Sequence, residues 1–145
     1  MKKPTLSVVI IGKNAQDVIK DCLSSVKWAE EIVYLDGGST DKTLEIVKKF
    51  GVKIRRQKEK TLDFAAWHNQ GIEETKGEWI LYLDTDERIT PELKEEILEK
   101  INSLGSLAAY AIPRRNVLLG KEMRFGGWWP DYQIRLFRRR ALKKW

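Results

Sequence analysis

Two carboxylates, Asp84 and Asp86, stand one residue apart directly after a short apolar run at 79–83. An apolar run without alternation is typical of a strand covered on both faces, as in the parallel sheets of α/β proteins. Because residues i and i+2 of an extended chain lie on the same side, we expect the two carboxylates to converge where the strand ends. Such a pair suits Mg²⁺, which takes one or two protein carboxylates and completes its shell with water and substrate phosphate. An acidic turn after a buried strand is the simpler alternative.

Two further side chains, those of Asp131 and His68, are candidates for chemistry, and Cys22 is predicted to be structural. Asp131 follows Pro130 in an aromatic and basic segment, where the residue alone is consistent with an ordinary turn as well as with a chemical role. His68, the only histidine, falls in a predicted helix, where a structural or surface role is commoner than a substrate contact. Cys22, the only cysteine, cannot form a disulfide within the chain, and its place on an apolar helical face predicts a core residue.

The elements that position these residues alternate along the first 104 residues. Apolar and β-branched runs predict strands at 6–11, 32–35, 52–55 and 79–83, and the third alternates like an edge strand. Apolar residues at helical spacing predict helices at 15–26, 44–50, 61–75 and 91–104. We predict that Asn14 and Thr90 cap the first and last helix, and that Leu104 ends the buried stripe of the last one. This order predicts an α/β fold with a Rossmann-like, mostly parallel sheet and helices on both faces.

The remainder of the chain is different in composition. A strand is predicted at 107–112, a hairpin or loop at 117–122 and a half-exposed strand at 133–138. Residues 113–145 hold ten Lys or Arg against two acidic residues and carry +8, whereas the whole chain carries +6. Such a basic and aromatic segment indicates an anionic partner: a phosphate-bearing substrate, an anionic membrane surface or nucleic acid.

Location is predicted from what the sequence lacks. No apolar run is long enough to span a bilayer, and the first residues have no signal-peptide pattern, so we expect a cytoplasmic protein. The three arginines at 138–140 are most simply a solvated cluster. Read with Phe137 and Trp145, they could instead hold the protein against anionic lipid at the inner face of the membrane.

The turn after the first predicted strand, 11–15, carries neither of the glycine patterns that cradle phosphates in dinucleotide-binding and P-loop proteins. A diphosphate must then be held in another way. A metal ion clamped by carboxylates at the end of a strand is the natural substitute, because it screens the phosphate oxygens directly.

The chain contains, in order, Ser7–Ile10, Asn14, Asp36–Asp41, His68–Gly71, Gly77–Trp79 and Asp84–Asp86. In this order and spacing the motifs resemble the nucleotide-binding half of the inverting family 2 glycosyltransferases, which have the GT-A fold. Two tail segments, Ile112–Asn116 and Gly126–Arg139, are similar to the subgroup that contains lipopolysaccharide-core glucosyltransferases. The resemblance covers nearly the whole chain.

The resemblance implies transfer of a sugar, with inversion, from a nucleoside-diphosphate sugar to a saccharide or lipid-linked acceptor. A UDP-sugar is the favoured donor, and Mg²⁺ or Mn²⁺ the cofactor. By the same resemblance, Asp36 would bind the base or ribose, and Ile11 and Asn14 would line that pocket. Asp84 would face ribose and metal, and Asp86 would ligate the metal.

On the acceptor side, the resemblance makes Asp131 the general base and brings Arg135 close to the diphosphate or to an anionic acceptor. Three positions depart from the family pattern: Ala15 and Gly37 replace acidic residues, and His68 replaces an arginine at the diphosphate. The last substitution leaves the diphosphate with a titratable partner.

We expect one domain over 1–145, with a nucleotide-sugar-binding core at 1–112 and a basic acceptor-side segment at 113–145. Relatives continue beyond the tail motif, so we expect this segment to be incomplete and a homodimer to be able to cover exposed apolar surface. Two alternatives remain: a non-catalytic nucleotide- or nucleic-acid-binding remnant of the same fold, and a sugar nucleotidyltransferase. Nucleic acid is the less favoured partner, and the second alternative lacks an early glycine-rich phosphate loop.

Overall fold

The computed structural model describes residues 2–58, 63–105 and 107–142. Strands and helices alternate through the first four strands, as predicted. The strands are β1 (Leu6–Gly12), β2 (Glu31–Asp36), β3 (Lys53–Arg56), β4 (Trp79–Asp84), β5 (Ala109–Arg114), β6 (Val117–Leu118), β7 (Lys121–Glu122) and β8 (Asp131–Arg138). The helices are α1 (Ile19–Ser25), α2 (Thr43–Lys48), α3 (Phe64–Glu74) and α4 (Pro91–Asn102), and a short 3₁₀ helix (Arg139–Ala141) follows β8.

Six strands form one sheet in the order β3-β2-β1-β4-β8-β5. The pairs among β1, β2, β3 and β4 are parallel, and β8 runs antiparallel to both of its neighbours, β4 and β5. The predicted fold class, a mostly parallel α/β sheet, is therefore confirmed. So is the edge position of β3, and the predicted hairpin is the β6–β7 pair.

Helices cover both faces of the sheet. One core contains Ile10 and Leu81 from the strands, together with Ile19 and Cys22 of α1 and Ile97 of α4. The other core is built on Val9, Val33, Ile80 and Tyr82, with Ile72 of α3 packed against it. Adjacent residues of β1 thus enter opposite cores, which explains why this strand is apolar at consecutive positions. Cys22 is a core residue, as predicted.

The start of the first helix differs from the prediction. Helix α1 begins at Ile19 rather than at Ala15, and Asn14 does not cap it. Asn14 instead adopts a left-handed backbone conformation (φ 49°), and its Oδ1 accepts a hydrogen bond from Thr40 N at 2.8 Å. Asparagine tolerates this conformation better than most residues, and the bond to a distant loop replaces the cap.

The other helix ends are partly as predicted. Thr90 caps α4 as predicted, because its hydroxyl accepts a hydrogen bond from Leu93 N. The helix ends at Asn102, however, and Leu104 is 89% exposed, so the predicted burial of Leu104 is wrong. Thr61, the predicted start of the third helix, lies outside the described residues. The structure begins α3 at Phe64, where the side chain of Asp63 accepts a hydrogen bond from Ala66 N.

Two of the three arginines at 138–140 are engaged in contacts rather than solvated, and Arg140 is exposed. Arg139 donates hydrogen bonds to the carbonyl oxygens of Ile72 and Gly77, both at 2.7 Å, and so ties β8 to the end of α3. Arg138 lies over the ring of Trp79, and Phe137 is buried. Trp145 lies outside the described residues. Within the part of the chain that the structure describes, no helix is both long enough and apolar enough to cross a bilayer.

Candidate functional site

Three strands end together at one edge of the sheet. Gly12, Asp36 and Asp84 are the last residues of β1, β2 and β4. In the sheet register Gly12 lies beside Asp36, and Ile11 lies beside Asp84. Ligands of open α/β sheets bind beyond this edge, where the strand order reverses.

Asp36 closes the loop that follows it. The side chain is buried, and its Oδ2 accepts hydrogen bonds from Gly38 N (2.9 Å) and Ser39 N (3.0 Å). Asn14 holds the same loop from the other side, because its backbone N–H donates to Ser39 Oγ. The loop is thereby a fixed wall beside the strand ends, and contact of Asp36 or Asn14 with a nucleoside remains a prediction.

A glycine allows the two central strand ends to pack closely. A Cβ built on Gly12 would lie 2.2 Å from Thr85 Cγ2. No real Cβ tolerates that distance, so the methyl group of Thr85 occupies the space that any other residue at position 12 would need. The turn after β4 therefore packs directly on the end of β1.

The chain turns at the two candidate metal ligands instead of running on as a strand. β4 ends at Asp84, and the backbone N–H of Glu87 donates to the Asp84 carbonyl at 3.1 Å, which closes a β-turn with Thr85 and Asp86 at its centre. The predicted extended conformation through Asp86 is therefore wrong. The physical reason is a pair of hydrogen bonds between Asp84 and Glu87, because the Asp84 N–H also donates to Glu87 Oε2 and so holds the turn from both ends.

Arg135 lies against the first of these carboxylates. Its Nη2 is 2.8 Å from Asp84 Oδ2 and 2.8 Å from Glu87 Oε1. The Arg135 side chain is only 14% exposed, whereas that of Asp84 is 52% exposed. Arg135 Nε is buried and has no hydrogen-bond partner in the described part of the protein, which leaves one guanidinium donor unsatisfied.

Glu87 joins Arg135 to a second arginine. Glu87 Oε1 is 3.6 Å from Arg114 Nη1, and Glu87 Oε2 accepts a hydrogen bond from Asp84 N. Burial raises the pKa of Glu87 above its usual value, and the Asp84 N–H and the nearby Arg135 oppose that shift. Arg114 in turn donates from both Nε and Nη2 to Asp131. We call Asp84–Arg135–Glu87–Arg114–Asp131 the ion-pair series.

Asp131 is held by three donors. Gln133 Nε2 donates to Oδ1 at 2.9 Å, and Asn116 and Arg114 donate to Oδ2. These hydrogen bonds, from Gln133 first and then from Asn116 and Arg114, lower the pKa of Asp131 to about 2. The carboxylate is thus ionised throughout the physiological range.

His68 lies on α3, next to the site. Its Nδ1–H donates to the Phe64 carbonyl, so the neutral ring keeps its lone pair on Nε2. Its ring contacts that of Tyr82, and burial lowers the pKa of His68 below its usual value, with the charge of Arg135 acting in the same direction. The histidine therefore sits near Arg135 in its neutral form.

The site offers oxygen ligands for a cation. Across residues 2–58, 63–105 and 107–142, no three or more His, Cys, Asp or Glu side chains are arranged to hold a metal ion. Two exposed carboxylates, Asp84 and Asp86, remain at the strand end. That donor set does not fit structural Zn²⁺, which takes four protein ligands, but it fits Mg²⁺ or Mn²⁺ completed by phosphate and water.

The structure links three of the predicted site residues through ion pairs and adds two more residues to them. Asp84, Arg135 and Asp131 are linked in the ion-pair series, whereas Asp36 and Asn14 form the separate loop wall. Glu87 and Arg114 were not predicted as site residues. The local signal for Glu87 was its position directly after Asp84 and Asp86. The pairing of Arg114 had no local signal, because it depends on β5 and β8 being neighbours.

Comparison with known proteins identifies relatives of this chain. The sequence profile described as glycosyl transferase family 2 matches residues 7–145. The lipopolysaccharide core biosynthesis glycosyltransferase LpsC of Rhizobium meliloti (strain 1021) is 30% identical over 121 residues, which cover 81% of this chain and 45% of LpsC.

Solved structures share the fold. Residues 1–349 of S. aureus TarS, crystallised with UDP-GlcNAc, match with a TM-score of 0.59 and 25% identity over 67% of this chain and 31% of that one. The glucosyl-3-phosphoglycerate synthase of Mycobacterium tuberculosis, solved with Mn²⁺, UDP and glucosyl-3-phosphoglycerate, matches with a TM-score of 0.55 and 20% identity over 66% of this chain and 40% of that one. The chain spans less than half the length of each of these proteins.

Proposed function

The chain belongs to glycosyl transferase family 2, and from that premise we propose that it transfers a sugar from a nucleoside-diphosphate sugar to an acceptor hydroxyl with inversion. A UDP-sugar is the proposed donor, in line with the UDP-GlcNAc bound to TarS. A saccharide or lipid-linked saccharide is the proposed acceptor, in line with the lipopolysaccharide-core role in the name of LpsC. Residues 1–112 would bind the donor, and residues 113–145 would face the acceptor.

The ion-pair series is the observation that supports this proposal most. Inverting transfer needs a site for the leaving diphosphate and, opposite it, a base for the attacking hydroxyl. Asp84 and Asp131 suit those two tasks, and they lie on separate strands joined by Arg135, Glu87 and Arg114.

On the donor side, Asp84 and Asp86 would hold Mg²⁺ or Mn²⁺, as the donor set allows. When bound, the cation stabilises the negative charge of the departing diphosphate. Arg135 would add a second positive group, because its unsatisfied buried Nε and its contact with Asp84 put it beside the same strand end. Asp36, Asn14 and Ile11 would line the nucleoside side.

On the acceptor side, Asp131 would accept the proton of the attacking hydroxyl. The hydroxyl oxygen forms the new bond to the anomeric carbon while the bond from that carbon to the diphosphate oxygen breaks. Asp131 is ionised at neutral pH, as a base must be, but its low pKa makes it a weak base until a partner is withdrawn. His68, neutral and beside Tyr82, would line the donor side of the site without adding charge.

We propose a cytoplasmic location, which the single buried cysteine supports. Peripheral contact with anionic membrane would use the tip of the β6–β7 hairpin, where Leu118 and Leu119 are exposed next to Lys121. The engaged Arg139 is unsuited to that task. A second copy of the chain is the competing occupant of this tip, and size-exclusion chromatography with and without anionic vesicles separates the two.

Nucleotide binding without turnover is the second candidate function. It is favoured by the state of Asp131, whose two oxygens already accept from Gln133, Asn116 and Arg114. If these donors stay in place when an acceptor arrives, the carboxylate has little capacity to take a proton.

Thermal unfolding with a panel of nucleoside diphosphates, each with and without Mn²⁺, tests the donor site. We expect one diphosphate to raise the melting temperature only when Mn²⁺ is present. Asp86→Asn should abolish the increase, and Glu96→Gln, which removes one exposed carboxylate from α4, should not. Stabilisation that is independent of metal, or none with any nucleotide, would contradict the donor assignment. Retained donor binding with loss of transfer in Asp131→Asn separates turnover from mere binding.

A further inference from the structure

We propose that the base of the β6–β7 hairpin is an acceptor subsite for an acidic saccharide, one that carries a phosphate or carboxylate group. This inference rests on the proposed function in one respect, namely that the bound saccharide is the acceptor. Binding of the anion itself can be measured independently. The site is an open cleft of about 380 Å³ lined by Arg115, Glu122, Arg124 and Trp129. Its volume lies within the roughly 300–1,000 Å³ range of small-molecule sites.

Positive charge is concentrated in this cleft. Arg115 donates from Nε and Nη2 to the two oxygens of Glu122, and Arg124 Nη2 donates to one of the same oxygens, each at 3.0 Å. Hydrogen bonds from Arg115 and then Arg124 lower the pKa of Glu122 to about 2, so Glu122 stays ionised. Two guanidinium groups on one carboxylate leave a net charge of one unit and several N–H donors facing solvent.

Those donors suit an oxyanion. A guanidinium presents five N–H groups, of which Glu122 takes two from Arg115 and one from Arg124 among the contacts that the structure describes. Both arginine side chains are exposed, whereas the Glu122 side chain is only 23% exposed. Glu122 therefore acts as the anchor that holds two arginines side by side, with their outer edges directed away from it.

Trp129 supplies the second half of the subsite. Its side chain remains 40% exposed although it lines the cleft. A partly exposed indole next to charged donors is the combination that binds the apolar face of a sugar ring while the donors bind its polar substituents. An inorganic ion alone would make no favourable apolar contact with the indole of Trp129.

Asn116 connects this cleft to the proposed base. Its Nδ2 donates to the Trp128 carbonyl at 3.2 Å and to Asp131 Oδ2 at 3.1 Å, and its carbonyl accepts from Met123 N. One residue thus fixes the hairpin, the segment before Trp129 and Asp131 together. An acceptor bound in the cleft would therefore lie beside the residue that also holds the proposed base.

The test uses NMR titrations of the full chain with three probes: glucose, glucose 6-phosphate and glucuronate. The Nε–H signals of arginine and the indole signals of tryptophan report binding. We expect both anionic probes to bind and glucose to bind at least about ten-fold more weakly, since a charge-assisted hydrogen bond contributes roughly that factor. Comparison of the phosphate with the carboxylate shows which group the cleft prefers.

Three variants locate the binding. Arg115→Gln and Arg124→Gln should each weaken binding of both anions by about ten-fold, and Lys121→Gln, which removes one positive charge from the same hairpin, should change it less than two-fold. Equal losses in all three variants would mean diffuse attraction to a basic surface and would overturn the proposal. So would equal affinity for glucose, or no binding of either anion.

The same titrations separate this inference from the donor assignment. They are repeated with UDP and Mn²⁺ present and in Asp86→Asn, and anion binding at the hairpin should persist in both. Loss of anion binding on addition of UDP would mean that the probes had occupied the donor site, which contradicts the subsite. If UDP fails to bind while the anions still require Arg115 and Arg124, the proposed function fails and the anion site stands.

Discussion

Arg114 and Asp131 lie directly opposite one another on β5 and β8, and Arg114 Nε and Nη2 both donate to Asp131 Oδ2, at 2.9 and 2.7 Å. A cross-strand pair of opposite charge stabilises the sheet and also fixes the orientation of the carboxylate. The contact therefore serves two purposes that oppose each other. It holds Asp131 in position, and it reduces the affinity of Asp131 for a proton.

Replacement of Arg114 should make Asp131 a stronger base. In Arg114→Gln we expect the pKa of Asp131 to rise from about 2 towards the usual value near 4, although Gln133 and Asn116 still oppose the rise. ¹³C NMR of the aspartate carboxyl groups measures the shift directly, and the acid limb of the pH–rate profile should move to higher pH. Arg140→Gln, on the exposed turn after β8, should leave the Asp131 pKa unchanged.

The Arg114–Asp131 pair should also affect how the free energy of unfolding depends on pH. Because the pKa of Asp131 is lower in the folded than in the unfolded protein, its contribution is complete above about pH 4 and is lost as the pH falls towards 2. Urea unfolding between pH 2 and 7 should thus show a smaller acid-induced loss in Arg114→Gln than in the unchanged protein. An identical loss in both would contradict the assigned cause.

Removal of the Glu87 side chain should destabilise the fold. Glu87→Ala takes away the acceptor of the Asp84 N–H and one partner each of Arg135 and Arg114, so we expect a loss of about 1–3 kcal/mol in the free energy of unfolding. Urea denaturation measures it. Glu78→Ala, at an exposed residue that precedes β4, should change stability by less than about 0.5 kcal/mol. A Glu87 variant as stable as the Glu78 variant would show that the ion-pair series is not coupled.

The close approach of Gly12 and Thr85 predicts that a substitution at Thr85 restores the stability lost by a substitution at Gly12. Gly12→Ala introduces a Cβ 2.2 Å from Thr85 Cγ2 and should cost about 1–3 kcal/mol through overpacking. Thr85→Ser removes that methyl group, so the double variant should recover most of the loss. A double-mutant cycle measures the coupling, and strictly additive effects would mean that the strain lies elsewhere.

The single histidine permits an unambiguous titration. We expect ¹H–¹³C NMR of His68 to give a pKa below 6.5, because burial and the charge of Arg135 disfavour the imidazolium. Since the folded pKa is below the unfolded one, the free energy of unfolding should decrease as the pH falls from 6.5 through the folded pKa. Arg135→Gln should raise the His68 pKa. A pKa at or above 6.5 in the unchanged protein would contradict this description.

Continuous apolar runs made the sheet predictable. β1 and β4 are covered on both faces, so their sequences leave little choice of element, and the acidic residues that follow β4 marked the edge. The first turn of α1 was less predictable. Its amphipathic spacing starts at Ala15, but the left-handed Asn14 and its bond to Thr40 delay the helix, and that bond joins residues 26 positions apart.

The acceptor side was the least predictable part. Arg135 reaches Glu87 across 48 positions, and Arg114 reaches Asp131 across 17, only because β8 enters the sheet between β4 and β5. Local spacing suggested a half-exposed strand at 133–138 but gave no information on its neighbours. Without knowledge of the strand order, the sequence does not distinguish Glu87 from the other acidic residues or Arg114 from the other basic residues.

The position of β8 has a consequence for how this region can vary. Asp131 and Gln133 share one side of β8, and the register with β5 shifts at Arg135, which lies between the paired residues Ile134 and Leu136, so the strand and this irregularity together set the spacing between the proposed base and the diphosphate arginine. A single residue inserted between them would turn one of the two to the opposite face. Inserted instead in the loop before Asp131, it would leave their spacing intact. We therefore expect residues 123–130 to differ among relatives that use different acceptors. Residues 131–135 should keep their length and spacing.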